Sequence, residues 1–127
     1  ASRYCFGSEE IGVSRFRKFL SRSARKLLKL LFPYTGVADY TSGYRAYCGQ
    51  LLLNLKSRYK NNIITEHGFA ATVEIILKSF SCKPKIIELP LVLRYDLKQG
   101  VSKIKIFKTI VTYFVLMFKI KIYESKN

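Results

Sequence analysis

The chain has 127 residues and a mass of 14.7 kDa, enough for one small domain or a piece of a larger one and too short for two independent cores. With 49% hydrophobic and 14% aromatic residues, extended disorder and low-complexity behaviour are excluded for most of its length. The 23 Lys and Arg outnumber the 8 Asp and Glu, leaving a net charge of +15, which points to an anionic partner: nucleic acid, acidic lipid or a phosphorylated substrate.

The first residue is Ala1 and the only methionine is Met117, so the chain is expected to be a fragment or a processed product, with a fragment preferred. Arg3, Arg15, Arg17 and Lys18 interrupt the first 20 residues, leaving no apolar region of the signal-peptide kind. Cys5, Cys48 and Cys82 lie far apart and His67 is the single histidine. Neither a zinc site nor a disulfide framework fits that spacing, and reduced structural thiols are expected.

Taken in chain order, Ala1 to Cys5 reads as the end of a short strand, followed by a loop holding Gly7, Ser8, Glu9, Glu10 and Gly12. A helix is predicted from Ser14 to Phe32. Phe16, Phe19, Leu20, Ala24, Leu27, Leu28 and Leu31 fall at helical spacing, with Arg15, Lys18, Arg22, Arg25, Lys26 and Lys29 opposite, the pattern of a basic amphipathic helix. Pro33 and Gly36 end it. The segment Asp39-Tyr-Thr-Ser-Gly-Tyr-Arg45 is compact, polar and aromatic, with Gly43 suited to a tight turn. Gln50 to Leu55 is predicted as a short helix, and Lys56 to Asn62 as a surface loop.

A second clear helix runs through Phe69, Val73, Ile76, Leu77 and Phe80, a core stripe stopped by Ser81, Lys83 and Pro84. Just before it, His67 matches no metal-ligand spacing, and a surface or capping role is expected. Glu74 lies inside it, either solvent-facing or set toward an arginine. Lys85 to Tyr95 is rich in Ile, Leu and Val and reads as a strand, with Pro90 marking an edge or a bulge. A loop from Asp96 to Lys103 follows. The final segment, Ile104 to Tyr123, is apolar except for Lys105, Lys108, Lys119 and Lys121 and the hydroxyl-bearing Thr109, Thr112 and Tyr113. Its charge-free run, Thr109 to Phe118, is about half of the 20 residues a spanning helix needs. A helix lying in the headgroup region is expected ahead of a core helix or a true span.

The blocks Ser2-Arg3-Tyr4, Arg17 with Ser21-Arg22, Asp39-x-Thr41-Ser42-Gly43-Tyr44-Arg45, Glu88-x-Pro90, Arg94 and Gly100-x-Ser102-Lys103 occur in an order and spacing that resembles the C-terminal half of glycosyltransferase family 2. The branch they resemble is that of the polyprenyl-phosphate, dolichol-phosphate mannosyltransferase-like enzymes. The resemblance implies an α/β fold, the C-terminal part of a Rossmann-like GT-A domain. It implies residues 1–103 as the acceptor-side half, without the nucleotide-binding half and its Asp-x-Asp motif, and residues 104–127 as a membrane-interface helix and tail. The implied activity, in the full-length parent, is transfer of a single sugar from a nucleotide-sugar to a polyprenyl phosphate at the cytoplasmic face of a membrane. A divalent cation, Mg or Mn, is implied with ligands mainly outside this chain. The missing Gln-x-x-Arg-Trp signature, in a chain with no Trp, favours single-sugar transfer over processive synthesis.

A lipid monophosphate is already anionic near neutral pH, its second ionisation lying near ~6. It needs cations more than a base, and arginine forks bind phosphate oxygens two at a time. Asp39, Arg94 and Lys103 are the expected catalytic residues. Arg17, Ser21, Arg22, Thr41, Ser42, Gly43, Arg45 and Ser102 are expected to bind substrate. Arg45 is alternatively an ion-pair partner for Asp39, and Asp39 an acceptor for backbone N–H groups in its own turn. The expected partners are the nucleotide-sugar, the lipid phosphate and an anionic membrane surface. Two competing functions stand beside this one: a small basic nucleic-acid-binding module, disfavoured because the aromatics occur mainly inside apolar patterns and no recognised nucleic-acid motif is present, and a non-catalytic remnant of the same family.

Overall fold

A computed structural model describes residues 1–97 and 106–125, with the side chains of 1–97 and 111–123. It is a mixed α/β chain divided into two compact units, Ala1–Arg45 with Lys85–Ser102, and Ala46–Pro84 with Lys103–Asn127. Residues 46–84 therefore group with the C-terminal helix, whereas a boundary at residue 103 would leave them with the N-terminal segment.

In the first unit, Ser14 caps helix α1 (Arg15–Leu31) by accepting a hydrogen bond from the Arg17 N–H, which satisfies one of the donors a helix start leaves unpaired. Pro33 follows the last turn and cannot continue it. Leu28 and Phe32 bury from this helix, beside Val37 and Tyr40. Tyr40 is wholly buried, and its hydroxyl donates to the Phe32 carbonyl at 2.9 Å. Phe16, Phe19 and Leu30 stay exposed, while Lys18 and Arg25 are half-buried. The apolar set that reads as one face in sequence is thus split between core and surface, because its arc is wider than the single line of residues the fold covers.

Two short strands, β1 (Glu9–Ile11) and β2 (Val92–Arg94), pair in parallel with Glu9 opposite Val92 and Ile11 opposite Arg94. The pairing corrects two expectations. Residues 9–11 are strand where a loop was predicted, and of Lys85 to Tyr95 only three residues are strand. At the N-terminus, Ser2 makes an isolated parallel bridge to Pro90. Proline is tolerated there because the bridge uses its neighbours: Ser2 N–H donates to the Leu89 carbonyl at 2.8 Å and Leu91 N–H to the Ser2 carbonyl at 3.0 Å. Gly12, at φ +73°, follows β1, and a Cβ there would lie 2.6 Å from the Asp96 nitrogen. Only glycine accepts both the left-handed φ and the close approach.

The second unit is helical. Helix α2 (Gly49–Tyr59) runs through Lys56 to Tyr59, where a loop was expected, and passes into a 3₁₀ turn at Lys60–Asn62. Helix α3 (Phe69–Ser79) packs against α2 on one side and α4 (Ile106–Ser125) on the other. Its Val73, Ile76 and Leu77 join Leu55, Tyr59, Leu116, Met117 and Ile120 in the core. The opposite side of α4 exposes Val111, Phe114, Val115, Phe118 and Ile122, a stripe at three- and four-residue spacing. The C-terminal helix therefore has a core face and an apolar outer face. Among the described residues no helix is long and apolar enough to cross a membrane.

Candidate functional site

The first unit gathers its polar side chains around Asp39, which is 2% exposed. Glu88 prepares the position by accepting the Ala38 and Asp39 N–H groups on one oxygen, at 2.8 and 2.9 Å, and the Cys5 thiol approaches its other oxygen at 3.5 Å. The Asp39 carboxylate then accepts from the Thr41 and Ser42 N–H groups at 3.1 and 3.0 Å. This closes an Asx turn of the kind aspartate favours, in which Gly43 keeps a φ outside the left-handed region.

The cation facing Asp39 is Arg3. Its Nε and Nη2 donate to the two carboxylate oxygens at 2.8 and 2.9 Å, a bidentate fork, and its backbone N–H adds a third bond at 3.2 Å. The same guanidinium reaches Thr41 Oγ1 at 2.6 Å and Ser21 Oγ, on α1, at 2.8 Å. Burial alone would raise the Asp39 carboxyl, but the hydrogen bond and charge of Arg3, with the N–H groups of Arg3 and Thr41, outweigh it and hold the group below the usual aspartate range. Burial lowers Arg3 in turn, and the bond to Asp39 more than restores it. Asp39 is an anion surrounded by donors, a poor proton acceptor and a good clamp.

Around this clamp lies further positive charge. Arg17, Ser21 and Arg25 stand four residues apart on one face of α1. The Arg25 guanidinium sits 4.2 Å from the centre of the Tyr4 ring, with Arg3 at 5.5 Å from the same ring, both within cation–π range. The Arg25 Nε is buried without a hydrogen-bond partner. The Tyr4 hydroxyl is 3.2 Å from Ser21 Oγ. Arg17 donates to the Tyr95 hydroxyl at 3.0 Å.

Of the residues expected at a site, Arg17, Ser21, Asp39, Thr41 and Ser42 thus come together in one unit. Arg45 donates to the Asp39 backbone carbonyl at 2.8 Å, while the ion pair expected of it is made by Arg3. Arg94 is not joined to this network: it is exposed and paired with Asp96 at 2.7 Å. Arg22 is exposed with no polar partner among the described residues, and Gly43 is exposed. Ser102 and Lys103 lie outside the described residues.

Arg3, Tyr4, Arg25 and Glu88 were the residues not assigned a site role from sequence. Arg3 and Glu88 belonged to recognised blocks, but nothing in the spacing shows that positions 36 residues apart share a salt bridge. Glu74, in the second unit, is neither solvent-facing nor set toward an arginine. It is 1% exposed, accepts the Thr65 and Glu66 N–H groups and the Thr65 hydroxyl at 2.8 Å, and pairs with Lys78. His67 is exposed.

Comparisons with protein-family models, with curated proteins and with solved structures find no match. What the site defines by itself is a cationic hydroxyl-bearing cluster organised by a buried carboxylate. No group of three or more His, Cys, Asp or Glu that could hold a metal ion occurs among the described residues. Asp39 is occupied by Arg3, and the divalent cation that the family resemblance implies would draw its ligands mainly from outside this chain.

Proposed function

We propose that this chain is the acceptor-side part of a family-2, GT-A-type hexosyltransferase that moves a single sugar from a nucleotide-sugar to a polyprenyl phosphate at the cytoplasmic face of a membrane. The observation that carries the reading is convergence. Ser2-Arg3-Tyr4, Ser21, Asp39, Thr41, Ser42 and Glu88 are scattered over the sequence, and they meet in one hydrogen-bonded cluster.

The chemistry of the cluster supports an anion-handling role. The phosphate of a lipid monophosphate is a nucleophile without deprotonation near neutral pH, its second ionisation lying near ~6. Asp39, held anionic and filled with donors, acts as a positioning residue that fixes the Arg3 fork. Arg17 and Arg25, on the same face of α1 as Ser21, supply the positive charge that offsets repulsion between lipid phosphate and sugar-nucleotide. The exposed apolar stripe of α4, flanked by Lys121 on one side and on the other by Lys119, which pairs with Glu66 at 2.9 Å, supports a membrane-surface setting.

The test is donor-dependent labelling of polyprenyl phosphate by the parent protein that joins this chain to a nucleotide-binding half, in membranes. Arg17→Ala is expected to lower transfer by about 10²-fold or more with the fold intact, the scale of losing one preorganised charge contact, and Arg94→Ala and Lys103→Ala, at positions the family resemblance assigns to the site, are expected to lower it as well. Unchanged turnover in all three removes the assignment.

A further inference from the structure

The surface of α1 that the core leaves uncovered is not the purely basic side that its sequence pattern implies. Phe16, Phe19 and Leu30 are 62%, 65% and 78% exposed. Together with Ser23 and Lys26 they occupy positions 16, 19, 23, 26 and 30, alternate steps of three and four that trace one line along the helix. Beside it runs a second line at seven-residue steps, Arg15, Arg22 and Lys29. Arg15, Arg22, Lys26 and Lys29 are all exposed and have no polar partner among the described residues. The helix carries seven cations in its 17 residues and no acidic one.

We infer that this outer face of α1 is a docking surface for an anionic lipid bilayer, with Phe16, Phe19 and Leu30 entering the boundary between headgroups and acyl chains. Charge complementarity selects the occupant. Four unpaired cations in two adjacent rows demand a dense anionic surface, and three apolar side chains in the same rows demand one that also accepts hydrocarbon. A nucleic acid satisfies the first demand only: Leu30, the most exposed of the three, has no ring on which a base can stack. An acidic protein surface would have to place carboxylates against Arg15, Arg22 and Lys29 while burying the neighbouring phenylalanines. A phosphatidylserine-containing leaflet offers both chemistries along the whole helix without a specific fit. The inference concerns α1 alone and does not rest on the transfer reaction.

Because the chain contains no Trp, Phe16→Trp and, separately, Phe19→Trp install a single reporter on this face. With phosphatidylcholine vesicles containing phosphatidylserine, tryptophan emission is expected to shift to the blue and to be quenched by brominated acyl chains, and with phosphatidylcholine alone to shift far less. Adding Arg22→Gln and Lys26→Gln should weaken partitioning by about thirtyfold, on the scale expected for two cations at an anionic surface. All of these side chains are exposed, and circular dichroism checks that the helix persists. The shift is also expected to survive Phe114→Ser with Phe118→Ser, which remove the centre of the α4 stripe. Emission that stays unmoved while the protein floats with vesicles, or a shift abolished by the α4 substitutions, assigns lipid binding to α4 and overturns the inference. A shift produced by an oligonucleotide but not by vesicles overturns it too. Vesicle binding needs no sugar donor, so its failure and a failure of glycosyl transfer are read separately.

Discussion

Two buried carboxylates organise this chain, one in each compact unit, and they differ in what they leave over. Glu74 pairs with Lys78 four residues on in the same helix, and Lys78 spends its three N–H groups on Glu74 and the Asn62 and Ile63 carbonyls. With the Thr65 and Glu66 N–H groups also on Glu74, the charge is balanced and nothing is offered outward. Asp39 is balanced by Arg3 just as fully, yet Arg25 beside it keeps a buried Nε without a partner and Arg22 reaches solvent unpaired. A closed polar cluster fastens a loop to a helix. A cluster that fixes one cation and leaves others over can receive an anion.

The largest expected effects come from opening either cluster, because an unpaired buried charge is left behind. Glu74→Ala strands Lys78 and also frees the Thr65 and Glu66 N–H groups, and a loss of about 3–5 kcal/mol in denaturant unfolding is expected. Arg3→Ala strands Asp39, although the Thr41 and Ser42 N–H groups remain on it, so its loss should fall toward about 3 kcal/mol. The comparison breaks if Arg3→Ala leaves both stability and anion binding untouched. It sharpens if Arg3→Ala weakens binding of inorganic phosphate while Glu74→Ala, at a temperature where both fold, does not.

Acid should test the same two groups. Both carboxyls sit below their ordinary range: in Asp39 and Glu74 alike, burial raises the group and is outweighed, by Arg3 in the first and by Lys78 with the Glu66 and Thr65 bonds in the second. A carboxyl depressed in the folded state binds its proton more readily when unfolded. Its contribution is therefore complete above the unfolded value, near ~4, and is lost as pH falls through the lower folded value. Melting temperature should fall on acidification below about pH 4, and Asp39→Asn should flatten part of that fall. An Asp39→Asn profile parallel to the parent's would show that Asp39 does not carry it.

At the turn between β1 and α1, Gly12→Ala meets both a left-handed φ and a 2.6 Å approach to the Asp96 nitrogen. An expected loss of about 1–3 kcal/mol, read by thermal unfolding, should localise to the β1–β2 pairing in hydrogen exchange. Exchange at the Glu9 and Tyr95 amides, which bond to Leu91 and Ile11 at 3.1 and 2.8 Å, is the direct readout.

The helices of this fold are legible in the sequence for local reasons: Ser14 caps α1, Pro33 stops it, and the Val73, Ile76, Leu77 spacing gives the buried line of α3. Of the strands, β2 falls within the Lys85 to Tyr95 run that reads as strand, whereas β1 is Glu-Glu-Ile, a composition that reads as loop, and becomes a strand only by pairing with residues 83 positions away. The candidate site divides the same way. The Asx turn at Asp39 follows from its neighbours Thr41 and Ser42, whereas the Arg3 fork is a long-range ion pair with no periodic trace. Phe16 and Phe19 carry a helical rhythm that fits core and surface equally, and only the packing of Leu28 and Phe32 shows which line faces inward.

The smallest expected change in stability is also the most diagnostic for the site. Arg94 and Asp96 form an exposed pair two residues apart, screened by water and salt, with each partner holding the other in its charged form. Arg94→Ala should leave the melting temperature where it is, in contrast to Arg3→Ala. A loss of transfer in Arg94→Ala therefore cannot be ascribed to unfolding. An Arg94→Lys variant that recovers part of the rate would mark a requirement for charge, and one that recovers none a requirement for the bidentate fork. If instead Arg94→Ala transfers sugar normally while Arg17→Ala does not, anion handling lies on α1 beside the Arg3 clamp and not at the sheet edge.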